Sequence, residues 1–346
     1  MIKSGDRVLL VGALILVVGG MVVWSIKRQN TAPKELSVVR VGYVPDSVNH
    51  APIMVAQDKK FFEGRNIKVE LQSFTSGKEV AQALASGQIE VGAGGITNYL
   101  TAIAQDVPIR IIAPMAASPS QVYVRPGSSL KTFADLKGVN IGAKPGSGDA
   151  FAIQYALRAE NIDRSSVELL DIANALRPQA LMTSKAIDAA VGGEYEDAAY
   201  RTAGAILFPD WEIKGYKTKA FPRTVIAANV AALNARPKEM KEFIQAVIDA
   251  EKFMHDNQQE SAVVVANHVN NKSSGAAKLT AESVVESWKQ VSYSLWNPDN
   301  MWNDMASLAF EVGIAKRSLA LSEFWDQRFT DILKSSQDAI YSSQNS

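Results

Sequence analysis

The residues able to hold or transform a small molecule gather in a few short stretches rich in glycine, serine, threonine and asparagine. These are Pro45 to His50, Ser76-Gly77, Gly94 to Asn98, Ser118 to Gln121, Gly146 to Asp149 and Gly193 to Tyr195. Such stretches offer neutral hydroxyl and amide donors. Where a helix follows, they also offer backbone N–H groups at the positive end of its dipole. That equipment suits a small anion or polar group held without covalent chemistry. Each element alone also has an ordinary use. Ser76 reads as an N-cap, with Glu79 at capping-box spacing. His50 and Asp46 fit a structural hydrogen bond as well as a ligand contact. The run Glu194-Tyr195-Glu196-Asp197 either faces a cationic or hydrogen-bonding ligand or supplies favourable carboxylates to a first helical turn.

Catalytic patterns are missing. The chain has no cysteine, which removes thiol nucleophiles, thiolate metal sites, disulfides and an acylated N-terminal cysteine. Its histidines, His50, His255 and His268, stand in no metal-ligand spacing. Ser76-Gly77-Lys78 lacks the preceding glycine of a P-loop, and Gly92-Ala93-Gly94-Gly95 meets Thr97 where a dinucleotide fingerprint needs its third glycine. Gly146-Ser147-Gly148 has no evident histidine partner, and no G-x-S-x-G elbow occurs. The expectation is a binding protein rather than an enzyme, with no cofactor and no metal. Lys and Arg number 36 against 36 Asp and Glu, so the basic excess of a nucleic-acid binder is absent too. Asn271-Lys272-Ser273 fits a glycosylation sequon, a pattern frequent by chance.

The elements that must position these stretches follow from composition and periodicity. A chain of 346 residues, 47% hydrophobic and 21% charged, is roughly two domains of folded protein. Val8 to Ile26 is uncharged and as a helix reaches about 28 Å, close to a bilayer core. It is longer than a signal h-region, ends in Met21-Val22-Val23-Trp24 and meets Lys27-Arg28. It reads as one uncleaved transmembrane anchor, although basic flanks on both sides leave its orientation open. Beyond it, strands at Val38–Val44, Ile67–Phe74, Ile89–Ala93 and Ile109–Ala113 alternate with helices, which predicts a mostly parallel α/β sheet. An internal echo follows. Gln82-Ala83-Leu84, Ile89-Glu90 and Gly94-Gly95 recur in order as Gln179-Ala180-Leu181, Ile187-Asp188 and Gly192-Gly193. Gly42 and Pro45 recur as Gly142 and Pro145, and Asn66-Ile67 as Asn161-Ile162. The series predicts two lobes on one plan. A returning strand at Thr224–Asn229 leads into helices at Pro237–His255, Glu260–Asn267, Ala281–Tyr293, Met301–Val312 and Leu321–Ser335. Trp288, Trp296 and Trp302 read as core residues of those helices.

The segment Val41 to Pro114 resembles the substrate-binding proteins of ABC importers for nitrate, sulfonates, taurine and thiamine-precursor pyrimidines. The marks are Gly42-Tyr43 with Pro45, then His50-Ala51-Pro52, Phe61-Phe62 ahead of Asn66-Ile67, Phe74 with Ser76-Gly77, and Ser86-Gly87 before Ile89-Glu90-Val91-Gly92. Phe133 to Gly142 is similar to the family's second-lobe opening. The resemblance implies a two-lobed type II periplasmic-binding fold behind the anchor. Residues 1–35 would be anchor and linker, 36–116 and 226–335 the first lobe, 117–225 the second and 336–346 a polar tail. It further implies first-lobe ligand contacts at Asp46, Ser47, His50, Ser76, Gly77, Thr97 and Asn98. Second-lobe contacts fall at Ser118, Ser120, Ser147, Gly148, Glu194 and Tyr195, and hinges near Pro114–Ser118 and Arg223–Ala227. The implied function is a membrane-tethered monomer. Its soluble part, periplasmic or extracellular, closes on a small polar solute and delivers it to a permease in the cytoplasmic membrane. Glu194 would repel a simple anion, which favours a zwitterion such as an aminosulfonate, or an amino-pyrimidine. The same resemblance reaches pyrimidine-synthesis proteins, an enzymatic alternative. An extracellular ligand sensor is a third.

Overall fold

The computed structural model describes residues 36–45, 48–173, 176–193, 196–218, 221–272, 278–289, 291, 293 and 299–342. The expected anchor at Val8–Ile26, the site candidates Asp46, Ser47, Glu194 and Tyr195, and Trp296 lie outside them. Among the described residues, no helix is long and apolar enough to cross a membrane.

The strands are β1 (Ser37–Tyr43), β2 (Ile67–Ser73), β3 (Val91–Gly95), β4 (Ile109–Ser118) and β5 (Gln121–Val124). They continue as β6 (Asn140–Gly142), β7 (Glu168–Leu170), β8 (Ala189–Gly192), β9 (Ile206–Leu207) and β10 (Phe221–Asn229). They form two five-stranded sheets, ordered β2-β1-β3-β10-β4 and β7-β6-β8-β5-β9. Both sheets are mixed rather than mostly parallel. β1 runs parallel to β3, and β6 to both β7 and β8. β10 is antiparallel to β3 and β4, and β5 to β8 and β9. The inserted strand in each sheet stands next to a crossing between the sheets, so it meets its neighbours head-on.

The echo is structural. Val41 pairs with Val91 and Gly42 with Gly92, as Ile141 pairs with Ala189 and Gly142 with Ala190. A Cβ on Gly42 would lie 2.5 Å from Ile89 Cδ1, and one on Gly142 would lie 2.5 Å from Ile187 Cδ1. Each glycine therefore admits the isoleucine that precedes the paired strand. Cores follow strand alternation. In β5, Val122 and Val124 enter one cluster of the second lobe while Tyr123 enters the other. The first lobe has one large core, filled from the sheet and from the helices Pro237–Asp256, Gln258–Lys272 and Asp299–Glu311. Trp302 is fully buried there and Trp288 packs against it.

Two strands exceed their expected lengths. β4 runs on to Ser118, and β10 begins at Phe221, because they pair from Phe221↔Ser118 to Asn229↔Ile109. Pro114 does not end β4. It faces Val225 where the register shifts, and such a bulge absorbs the missing N–H donor. The expected helix Leu321–Ser335 is broken. It stops at Phe324, Trp325 bridges to Ile111, and Asp326 N–H donates to the Ile111 carbonyl at 2.9 Å. A new helix runs from Thr330 to Ser342, past the point where a polar tail was expected.

Candidate functional site

In sheets of this kind ligands collect beyond the carboxyl ends of the strands. In the first lobe that edge carries His50, the helix starting at Gly77 and the helix starting at Ile96. His50 is buried edge-on to Tyr43, with ring centroids 6.2 Å apart. Burial pushes its pKa down to about 4, against the pull of the Val44 and Ala93 carbonyls, so the imidazole is neutral. Ser76 caps the helix Gly77–Ser86 by accepting from Glu79 N–H at 3.3 Å. The capping box is displaced by one residue. The Glu79 carboxylate accepts from the N–H and hydroxyl of Thr75, not from Ser76. Those hydrogen bonds hold it below its ordinary pKa. Gly77 and Asn98 come together, since a Cβ on Gly77 would lie 2.7 Å from Asn98 Nδ2. The same amide lies 3.1 Å from a Cβ placed on Gly95. Thr97, beside it, is buried.

In the second lobe, Ser147 caps the helix Gly148–Ala159 by accepting from Ala150 N–H at 3.2 Å. Behind this helix start lies a buried ionic network. Asp149 accepts from Arg177 Nη1 at 3.0 Å, from Arg223 Nη2 at 2.7 Å and from the Ser120 hydroxyl at 3.1 Å. Arg223 Nη1 donates to Ser120 Oγ at 2.6 Å, and Trp211 Nε1 donates to the Ser120 carbonyl at 2.8 Å. Arg177 also donates to the Val191 and Ile172 carbonyls at 2.8 and 2.9 Å. Burial alone would raise the Asp149 carboxyl. The guanidiniums of Arg223 and Arg177 outweigh it and hold it below its ordinary value. A pair of guanidiniums around one carboxylate leaves an excess positive charge at this edge. Ser118, at the end of β4, is fully buried, and its hydroxyl has no protein partner among the described residues.

The two edges meet at Arg223. Thr224 pairs with Gly95 across β10 and β3, and a Cβ on Gly95 would lie 3.9 Å from the Arg223 carbonyl. The Arg223 side chain, borne on a strand of the first sheet although it falls within the 117–225 span expected of the second lobe, reaches the edge of the second sheet. A Cβ on Gly148 would lie 3.1 Å from its Nη1. Of the expected site residues, Gly77 and Asn98 are thus joined in one corner, and Ser120 and Gly148 in another. Ser118 lies at the crossing between them, while Ser76 and Ser147 are engaged as helix caps. The arrangement can surround a small polar group with helix starts, hydroxyls and a buried cationic network. Among the described residues, no cluster of His, Asp and Glu is placed to hold a metal.

The ionic network was not legible in the sequence as a site. Asp149 ends the candidate stretch Gly146 to Asp149 with no cationic partner indicated, and Arg223 reads as a lobe boundary. Arg177 opens the helix Arg177–Met182, which occupies in the second sheet the place that Gly77–Ser86 has in the first. Only the echo, which sets Arg177 opposite Val80 in the first turn of Gly77–Ser86, marks it for inspection.

Comparisons with known proteins agree with this geometry. The family described as NMT1/THI5 like matches residues 47–261. A thiamine biosynthesis protein of Haemophilus influenzae is 24% identical over 305 residues, covering 85% of this chain and 92% of its own. A 4-amino-5-hydroxymethyl-2-methylpyrimidine phosphate synthase of Aspergillus parasiticus is 24% identical over 277 residues, covering 77% of this chain and 79% of its own. The crystal structure of the periplasmic aliphatic sulphonate binding protein SsuA from Escherichia coli superposes with a TM-score of 0.68 at 18% identity. It covers 84% of this chain and 92% of that one. The fold is therefore the α/β two-lobed periplasmic-binding-protein fold.

Proposed function

The chain belongs to the NMT1/THI5-like family, and on that premise we propose that it is a solute-binding protein which captures a small polar organic solute between its lobes and delivers it to an ABC importer. One observation carries the reading. A Cβ on Gly95 would lie 3.9 Å from the Arg223 carbonyl and one on Gly148 3.1 Å from its guanidinium, so helix starts from the two lobes converge on the backbone and side chain of one residue. The hydroxyls and amides around that point suit a sulfonate, an aminosulfonate such as taurine, or an amino-pyrimidine. The lobes, 36–116 with 226–335 and 117–225, close about the paired strands β4 and β10. The run Val8–Ile26 tethers a monomer to the cytoplasmic membrane, with the lobes on its outer side. The test is isothermal titration of the purified chain with taurine, an alkanesulfonate, nitrate and an amino-pyrimidine. One of these should bind with a micromolar or tighter dissociation constant. Silence across the panel removes the substrate class.

The names of the relatives favour a second reading, pyrimidine synthesis. It requires that incubation yield a pyrimidine phosphate. A solute that binds and is recovered unchanged, with the mass of the chain also unchanged, decides for transport.

A further inference from the structure

The helix Gly148–Ala159 belongs to the second lobe by its strand connections, yet it is held to the first lobe along its length. At its start, Asp149 is gripped by Arg223 of β10 at 2.7 Å. One turn on, Phe151 and Ala152 are buried in the core of the first lobe, and Tyr155 packs against the cores of both lobes. At its end, Arg158 Nη1 lies 3.2 Å from Glu311 Oε1. Glu311 ends the helix Asp299–Glu311, whose Trp302, Met305, Leu308 and Ala309 are first-lobe core. The same Glu311 oxygen accepts from the Ser307 hydroxyl at 3.0 Å, which holds the carboxylate in place. Glu160, two residues beyond Arg158, is engaged elsewhere by Lys214 and Tyr216 and does not compete for the arginine.

The two ends differ in burial. The Asp149 and Arg223 side chains are 6% and 15% exposed, whereas Arg158 and Glu311 are 47% and 42% exposed. A buried, multiply bonded pair is screened little and breaks at high cost, whereas an exposed pair is weak and weakened further by salt. We infer that this helix is a lever with a permanent pivot at Asp149–Arg223 and a releasable clasp at Arg158–Glu311, which favours closed lobes before any solute arrives. Opening the cleft turns the helix about its first turn, withdraws Phe151 from the first-lobe core and parts the clasp. The inference rests on the proposed function only in supposing that the lobes move. A failed ligand panel leaves it standing, and its own failure leaves solute binding standing.

The test reads lobe separation without solute. Because the chain has no cysteine, Lys137→Cys and Lys241→Cys give one label on each lobe of the whole chain. Single-pair fluorescence transfer at low salt then reports closed and open populations. Glu311→Lys should shift the ratio about two- to fivefold toward open. Salt at about 0.5 M should do the same to the parent and, by screening the new like-charge pair, shift the variant back toward closed. The reversed pair, Arg158→Glu with Glu311→Arg, should restore the parent ratio. The clasp is refuted if Glu311→Lys leaves the ratio unchanged, or if the reversed pair is as open as the single variant.

Discussion

Arg177 is fully buried and charged, and among the described residues Asp149 is its one carboxylate. Asp149 is shared with Arg223 and bonded to Ser120, so removing Asp149 strands the buried Arg177 guanidinium in a dry place. Glu251 is the opposite case. It lies on the helix Pro237–Asp256, 8% exposed, and its Oε2 has no partner among the described residues. Burial pushes its pKa up to about 8 from an ordinary 4.5. The folded chain therefore keeps this proton until about pH 8, while the unfolded chain releases it near 4.5. Unfolding releases a proton throughout that window, so the stability from this group is full below 4.5 and is lost as pH rises toward 8. Glu251→Gln should flatten the fall in melting temperature across this range. Parallel slopes for parent and variant would refute the assignment. Neither residue was legible beforehand. Glu251 sits in a helix whose pattern identifies an apolar face but not the depth of its edge, and Asp149 meets partners remote in sequence.

Helix starts were legible because their chemistry is local. Ser76 and Ser147 cap their helices from within the same few residues, and Pro237 opens the long helix. The extensions of β4 and β10 were not, because each is fixed by the other across the sheet. The paired glycines fall between these cases. Gly42 and Gly142 are marked by the echo, but their reason is a contact. At Gly142 the atom in the way is Ile187 Cδ1, and the next nearest atom is at 3.7 Å. At Gly42, Phe74 Cε2 also stands at 2.8 Å. Gly142→Ala should destabilise by about 1–3 kcal/mol, since Ile187 is fully buried and has nowhere to swing. Ile187→Val, which deletes that Cδ1, should recover part of the loss when combined with it. The matching pair at Gly42 and Ile89 should recover less, because Phe74 stays in the way. Equal recovery in both lobes, read by denaturant unfolding, would overturn this account of the two glycines.

At the scale of the molecule, the two-lobed plan was legible in the series of echoes, while the mixed sheets were not. An echo reports what each lobe repeats and is silent about the strand that each sheet takes in beside a crossing. That strand has a consequence for how the protein comes into being. β10 lies between β3 and β4, so the sheet of the first lobe has a gap at its centre until residue 229 is available. The second sheet is drawn from β5 to β9, one unbroken stretch. During synthesis the lobe that begins first is therefore the lobe completed last, and its apolar strands wait unpaired while the other folds. A chain stopped after residue 218 should protect the β5–β9 amides from hydrogen exchange and leave those of β1 and β3 open. Protection of β1 and β3 in that shortened chain would mean that the gap can be bridged without β10.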